Sequence, residues 1–217
     1  MITRQQVAAR IEAKGLIAIL RLQDSQTTVP IVEALRAGGV DCIEFTMTTP
    51  GALRALEQVT QRYGEEILFG AGTVLDAETA RIVIMAGARF VVSPTLSFPM
   101  IEMCHRYGIA VVPGTFTPTE ILTAWEAGSD LVKAIPMSMV GPAYLRAVLA
   151  PLPQVRIIPT GGVTPETAPD YIRAGAVAVG LTSALVDDAT VRAGRFDVIT
   201  QRTAKLLADI QAARAKP

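Results

Sequence analysis

Short, continuously apolar runs recur along this chain, separated by longer segments whose apolar residues fall three and four apart. The first pattern suits a strand buried on both faces, and the second suits a helix with one face against a core. Residues 2–14 read as an amphipathic helix, with Ile2, Val7, Ala8, Ile11 and Ala13 on one side and Gly15 to stop it. Eight apolar runs follow, at 16–20, 41–47, 66–73, 89–94, 109–114, 131–136, 155–159 and 176–181. Between them lie helical segments at 27–37, 50–63, 76–86, 98–107, 117–127, 141–149 and 164–174, most ending at a glycine. Residues 182–186 read as a short turn, and a long helix at 191–213 closes the chain.

Strands alternating with helices through short connections imply parallel βαβ units. Eight such units imply an α/β fold consisting of a single (β/α)8 TIM barrel, here with an additional N-terminal helix. A doubly wound open sheet is the competing arrangement, but no G-x-G-x-x-G follows the first strand. Without a linker, charge run or low-complexity tract, residues 1–217 are expected to form one domain.

In a barrel of this kind the active site gathers at the C-terminal ends of the strands. Three charged residues interrupt apolar runs there: Arg21, Glu44 and Lys133. Lys133 is flanked by Leu131, Val132, Ala134 and Ile135, whereas Lys14, Lys205 and Lys216 lie in polar, helical or terminal contexts. A lysine desolvated among apolar side chains becomes a nucleophilic amine. Snorkelling or a buried ion pair is the other use of such a residue. An amine that attacks a 2-oxo acid forms an imine, an electron sink through which a C–C bond can break or form. Glu44 is placed to shuttle the protons of that chemistry. Arg21 and Thr73 can hold the substrate carboxylate, and Thr46, Thr48, Pro94, Thr115 and Thr160 would line the pocket. Gly161, Gly162, Thr182 and Ser183, after strands seven and eight, occupy the phosphate position usual for such barrels.

Composition narrows the choice. Half of the residues are apolar and the formal net charge is zero, so neither nucleic acid nor an anionic membrane is an expected partner. A single histidine, His105, and two cysteines in apolar segments, Cys42 and Cys104, leave no metal cluster and no Ser-His-Asp or Cys-His nucleophile. His105 reads as the C-terminal residue of a helix. No signal-peptide pattern and no apolar run of about 18 residues occur, and the cysteines read as reduced, so the cytoplasm is the expected location.

Several motifs together resemble the KDPG/KHG aldolase family of class I, Schiff-base aldolases. They are Gly38-Gly39-Val40 with Ile43-Glu44-Phe45-Thr46, Gly70-Ala71-Gly72-Thr73-Val74-Leu75, Ser93-Pro94, Val112-Pro113-Gly114, Val132-Lys133 with Pro136, and Pro159-Thr160-Gly161-Gly162-Val163-Thr164-Pro165. The resemblance spans almost the whole chain. It implies Lys133 as the Schiff-base lysine, Glu44 as the proton shuttle, Thr73 as a carboxylate ligand, and Gly161, Gly162 and Ser183 as the phosphate site. It also implies a homotrimer, no metal or other cofactor, and small-molecule 2-oxo acid and aldehyde substrates. The implied reaction cleaves a 2-keto-3-deoxy-6-phospho sugar acid to pyruvate and glyceraldehyde 3-phosphate, or 4-hydroxy-2-oxoglutarate to pyruvate and glyoxylate. One departure stands out. The phosphogluconate branch commonly has a Thr-x-Arg-Thr run after the glutamate, and Thr46-Met47-Thr48-Thr49 lacks that cation. Arg21 resembles the arginine of the galactonate-type branch instead. Two other readings stay open: a metal-free phosphosugar isomerase or epimerase with Glu44 as base, and a non-catalytic ligand-binding barrel.

Overall fold

The computed structural model describes residues 2–21 and 27–215. Its strands are β1 (Leu16–Leu20), β2 (Cys42–Thr46), β3 (Leu68–Gly72), β4 (Phe90–Val92), β5 (Ala110–Val112), β6 (Gly114–Thr115), β7 (Val132–Ala134), β8 (Ile157–Pro159) and β9 (Val179–Leu181). The helices are α1 (Arg4–Lys14), α2 (Thr28–Ala37), α3 (Ala52–Tyr63), α4 (Ala77–Met85), α5 (Phe98–Arg106), α6 (Pro118–Glu126), α7 (Gly141–Leu149), α8 (Ala168–Arg173), α9 (Asp188–Arg192) and α10 (Phe196–Arg214).

All pairings are parallel. Six strands run in the order β5-β4-β3-β2-β1-β9 and three in the order β6-β7-β8. The first and last strands are therefore neighbours, with Ile17 paired to Gly180. A doubly wound sheet reverses its order about the first strand, and this one does not. The sheet curls, and its side chains separate into two sets with the period of two that strands impose. Leu16, Ala18, Leu20, Ile43, Phe45 and Phe69 face the helices. Ile17, Ile19, Leu68, Phe90, Val92, Val112 and Ile158 face inward, where Val7, Ala8 and Ile11 of α1 join them.

The expected fifth strand divides at Pro113. Proline has no N–H for the ladder, so β5 pairs with β4 while the two residues beyond it pair with β7. This division, and not a continuous eight-member ladder, is the observed hydrogen-bond pattern. Backbone bonds span both gaps: Leu131 N–H donates to the Val111 carbonyl at 3.4 Å and Lys133 N–H to that of Pro113 at 2.9 Å, Val177 N–H donates to that of Ile157 at 3.1 Å, and Thr160 bridges Gly180.

Other boundaries shift by a few residues. Residues 47–51 turn before α3 starts, so Pro50 does not open that helix. Likewise α8 begins after a turn at 165–167. The expected helix at 191–213 is two helices, because Gly194 takes a left-handed φ of 65° between α9 and α10. Asp187 caps α9 by accepting from the Thr190 N–H at 2.8 Å. Asp76 and Thr117 cap α4 and α6, accepting from the Thr79 and Glu120 N–H groups.

Candidate active site

Lys133 lies at the centre of β7, between Gly114 of β6 and Ile158 of β8, and is only 7% exposed. Its carbonyl accepts from Thr115 Oγ1 at 3.1 Å. Glu44, on β2 between Ile19 and Gly70, is 2% exposed. Burial pushes its carboxyl above the usual carboxylate range, and the positive charges of Lys133 and Arg21 pull it part of the way back. Residues from strands far apart in the chain thus act on one another here: Arg21 just past β1, Glu44 on β2 and Lys133 on β7. Lys133 and Glu44 are buried, while Arg21 is exposed at the rim.

Thr73 follows β3 with φ 59°, the only non-glycine residue at positive φ among the described residues. Two of the hydroxyls expected to line the pocket are already engaged. Thr46 Oγ1 donates to the Leu20 carbonyl at 3.0 Å and lies 3.1 Å from Thr49 Oγ1. The Thr115 proton goes to Lys133. These threonines fix the backbone beside Arg21 and Lys133, whereas Thr48 is exposed on the turn after β2. Pro94, half-buried after β4, lies so close to Gly114 that a β-carbon there would overlap the proline carbonyl.

Thr160 is buried at the end of β8, and its carbonyl accepts from Met137 N–H at 3.1 Å. Gly161 and Gly162 follow with φ of 76° and 99°, and Gly161 accepts from Ser138 N–H at 2.7 Å. A side chain at Gly162 would strike Ser138. Among the described residues, the Gly161 and Gly162 N–H groups have no backbone acceptor. Thr182 is half-buried and accepts from Leu185 and Val186 N–H, while Ser183 is exposed. Ser183 also borders an outer cleft of about 620 Å³ shared with Arg202 and Lys205, each of which is paired to an aspartate.

Other reactive groups lie elsewhere. Burial pushes the Cys104 thiol up to about 12 and raises that of Cys42, and both are unpaired. His105, near the end of α5, bonds the Gly128 carbonyl at 3.0 Å. Among the described residues no three His, Cys, Asp or Glu side chains could share a metal, and no helix is long and apolar enough to cross a membrane. The glycines at 72 and 114, present in the quoted motifs without an assigned role, make room beside Glu44 and Pro94. For Gly72, its alternation with Gly70 within a strand was the available signal.

A lysine and a glutamate buried on parallel strands, with charges that act on one another, are the groups that imine-forming lyases require. Residues 7–202 match the family model described as KDPG and KHG aldolase, and the chain belongs to that family of lyases. A 2-dehydro-3-deoxy-6-phosphogalactonate aldolase of Escherichia coli strain K12 is 36% identical over 171 residues, 78% of this chain and 83% of the relative. A 2-dehydro-3-deoxy-phosphogluconate aldolase of Treponema pallidum strain Nichols is 33% identical over 92% of this chain and 94% of its own. A KDPG aldolase of Legionella pneumophila, solved with pyruvate captured as a covalent carbinolamine, superposes with a TM-score of 0.86 at 28% identity, covering 94% and 98% of the two chains.

Proposed function

We propose that Lys133 forms a Schiff base with a 2-keto-3-deoxy-6-phospho sugar acid and that Glu44 moves the protons of its cleavage. The observation that carries this reading is the buried pair, with the Glu44 carboxyl raised by burial and facing the charge of Lys133. Glu44 takes a proton from the Lys133 ammonium, the freed amine attacks the C2 carbonyl, and Glu44 returns the proton to the carbinolamine hydroxyl, which leaves as water to give an iminium. The C3–C4 bond then breaks, its electrons passing into the iminium to leave an enamine. The C4 hydroxyl gives its proton to the Glu44 carboxylate as the aldehyde departs. Return of a proton to C3, and hydrolysis, release pyruvate and free Lys133. A carboxyl raised by burial suits both halves of this task, since its two protonation states are closer in energy near neutral pH. Covalent lysine chemistry of this kind needs no metal.

Arg21 and Thr73 hold the substrate carboxylate, and Thr46, Thr48, Pro94, Thr115 and Thr160 surround the carbon chain. The N–H groups of Gly161 and Gly162, without an acceptor among the described residues, receive the phosphate together with Thr182 and Ser183. With no cation at Thr48, Arg21 carries the carboxylate charge alone. Glyceraldehyde 3-phosphate is the second product, or glyoxylate when 4-hydroxy-2-oxoglutarate is the substrate.

The bonds across both gaps between the sheets support one closed eight-stranded barrel forming one domain. Unpaired, buried cysteines support a cytoplasmic setting. Exposed Leu75, Ile82, Met85, Phe98 and Tyr107 support burial against further copies of the chain in a homotrimer. A substrate panel tests the activity: the gluconate- and galactonate-derived 6-phosphates, their unphosphorylated forms and 4-hydroxy-2-oxoglutarate. Pyruvate release from a phosphorylated sugar acid is the expected result, and release from none of them overturns the reading.

A further inference from the structure

Strand β3 carries Gly70 and Gly72 two residues apart, hence on one face. Each lacks a side chain where a neighbour uses the space. A β-carbon at Gly70 would enter the Phe90 ring, and one at Gly72 would fall on the Glu44 carboxyl and within 2.8 Å of its Cγ. Gly72 pairs with Thr46, two residues beyond Glu44, so the Glu44 side chain leans along its strand and lies over the Gly72 backbone. Gly72 is not among the glycines at positive φ, so backbone geometry is not what calls for glycine there.

Among the described residues no hydrogen bond ties down the Glu44 carboxyl; burial and the charges of Lys133 and Arg21 are what act on it. Charges attract without fixing a rotamer, and what remains to fix one is shape. We propose that Gly72 is a positioning residue for Glu44: the missing side chain forms a slot that holds the carboxyl toward Lys133. The proposal rests on the reading of Glu44 as the proton shuttle. A misplacement of about one ångström can cost roughly a hundredfold in rate, and one methyl at Gly72 forces a displacement of that order.

The test uses pyruvate in D2O, where imine formation at Lys133 lets a base exchange the pyruvate methyl protons. Gly72→Ala is expected to slow exchange by about tenfold to a hundredfold, while borohydride still traps saturating pyruvate on Lys133. Glu44→Asp slows the wild-type enzyme but restores part of the rate in the Gly72→Ala background, because the shorter side chain clears the methyl. Thermal stability gives a second reading that holds even if Gly72→Ala folds poorly. A clash with Glu44 predicts that Gly72→Ala lowers Tm in the presence of Glu44 and not in a Glu44→Ala background. Exchange by Gly72→Ala within about twofold of wild type overturns the slot, and so does an equal loss of Tm with and without Glu44. If Glu44→Gln exchanges protons at the wild-type rate, the proton-shuttle reading fails instead, and the Tm cycle still decides the slot.

Discussion

Thr73 is a β-branched residue at φ 59°, a conformation that costs it roughly 1–3 kcal/mol. Glycine would remove that cost while adding roughly 0.5–1 kcal/mol of unfolded-chain entropy. Thr73→Gly is therefore expected to stabilise the fold by about 1 kcal/mol net and to raise KM for the 2-oxo acid by loss of the hydroxyl. Urea unfolding and initial rates on one preparation check both, and lower stability with unchanged KM contradicts the assignment. Glu44 gives a pH dependence with a definite sign. Its folded pKa is raised, chiefly by burial. Below the ordinary carboxylate range both states are protonated and Glu44 costs nothing; as pH rises through the raised value, the unfolded state releases its proton more readily and stability falls. Glu44→Gln should thus raise Tm over wild type at about pH 7 and not at about pH 4. An equal difference at the two pH values would show that burial does not act on this carboxyl. The same variant should slow turnover far more than it weakens pyruvate binding; equal losses would leave Glu44 a binding role only. Arg21, Glu44 and Lys133 were legible in the sequence because a charge inside an apolar run has few structural uses. The hydroxyls were not, since nothing in sequence separates Thr46 and Thr115, tied to backbone carbonyls, from exposed Thr48.

Among the elements, α1 shows how the end opposite the site is sealed. Its Val7, Ala8 and Ile11 enter the inner core, and charged residues clamp its rim. Arg156 forms an ion pair with Glu12 at 2.7 Å and donates to the Asp130 carbonyl at 2.7 Å, while Arg214 reaches the carbonyls of Glu12, Ala13 and Val177. Asp130, 5% exposed, accepts from Val111 N–H at 3.1 Å and faces Arg4 at 3.5 Å. Asp130→Ala leaves a buried N–H unpaired and should cost about 1–3 kcal/mol. Its activity per folded molecule should equal wild type, because Asp130 precedes β7 at the N-terminal end. Denaturant unfolding and active-site titration measure the two separately, and a specific loss of kcat would contradict this placement. Helix and strand positions were legible from periodicity and from glycine stops. Their ends were less so: the break at Pro113 separates two strands inside one apolar run, and Gly194 interrupts one continuous helical pattern.

For the whole molecule, the adjacency of β1 and β9 sets the first strand beside the last, and Arg21 past β1, Glu44 on β2 and Lys133 on β7 act on one another from distant parts of the chain. Alternating strands and helices made the α/β class and parallel pairing legible, while the split of the ladder into six and three strands depends on local geometry that periodicity does not carry. Apolar Leu75, Ile82, Met85, Phe98 and Tyr107 remain exposed on the single chain. Analytical ultracentrifugation should find three times the monomer mass, and Met85→Lys with Ile82→Lys should shift the population toward smaller species. A wild-type monomer at all concentrations would contradict the proposed trimer.

Imine formation rests on one amine, that of Lys133. The enzyme incubated with pyruvate and sodium borohydride, digested and weighed peptide by peptide, tests it most directly. The expected result is the reduced pyruvate adduct on Lys133, loss of activity in step with labelling, and no adduct in Lys133→Ala. Full activity after treatment with no added mass at Lys133, or an adduct that persists in Lys133→Ala, would contradict it.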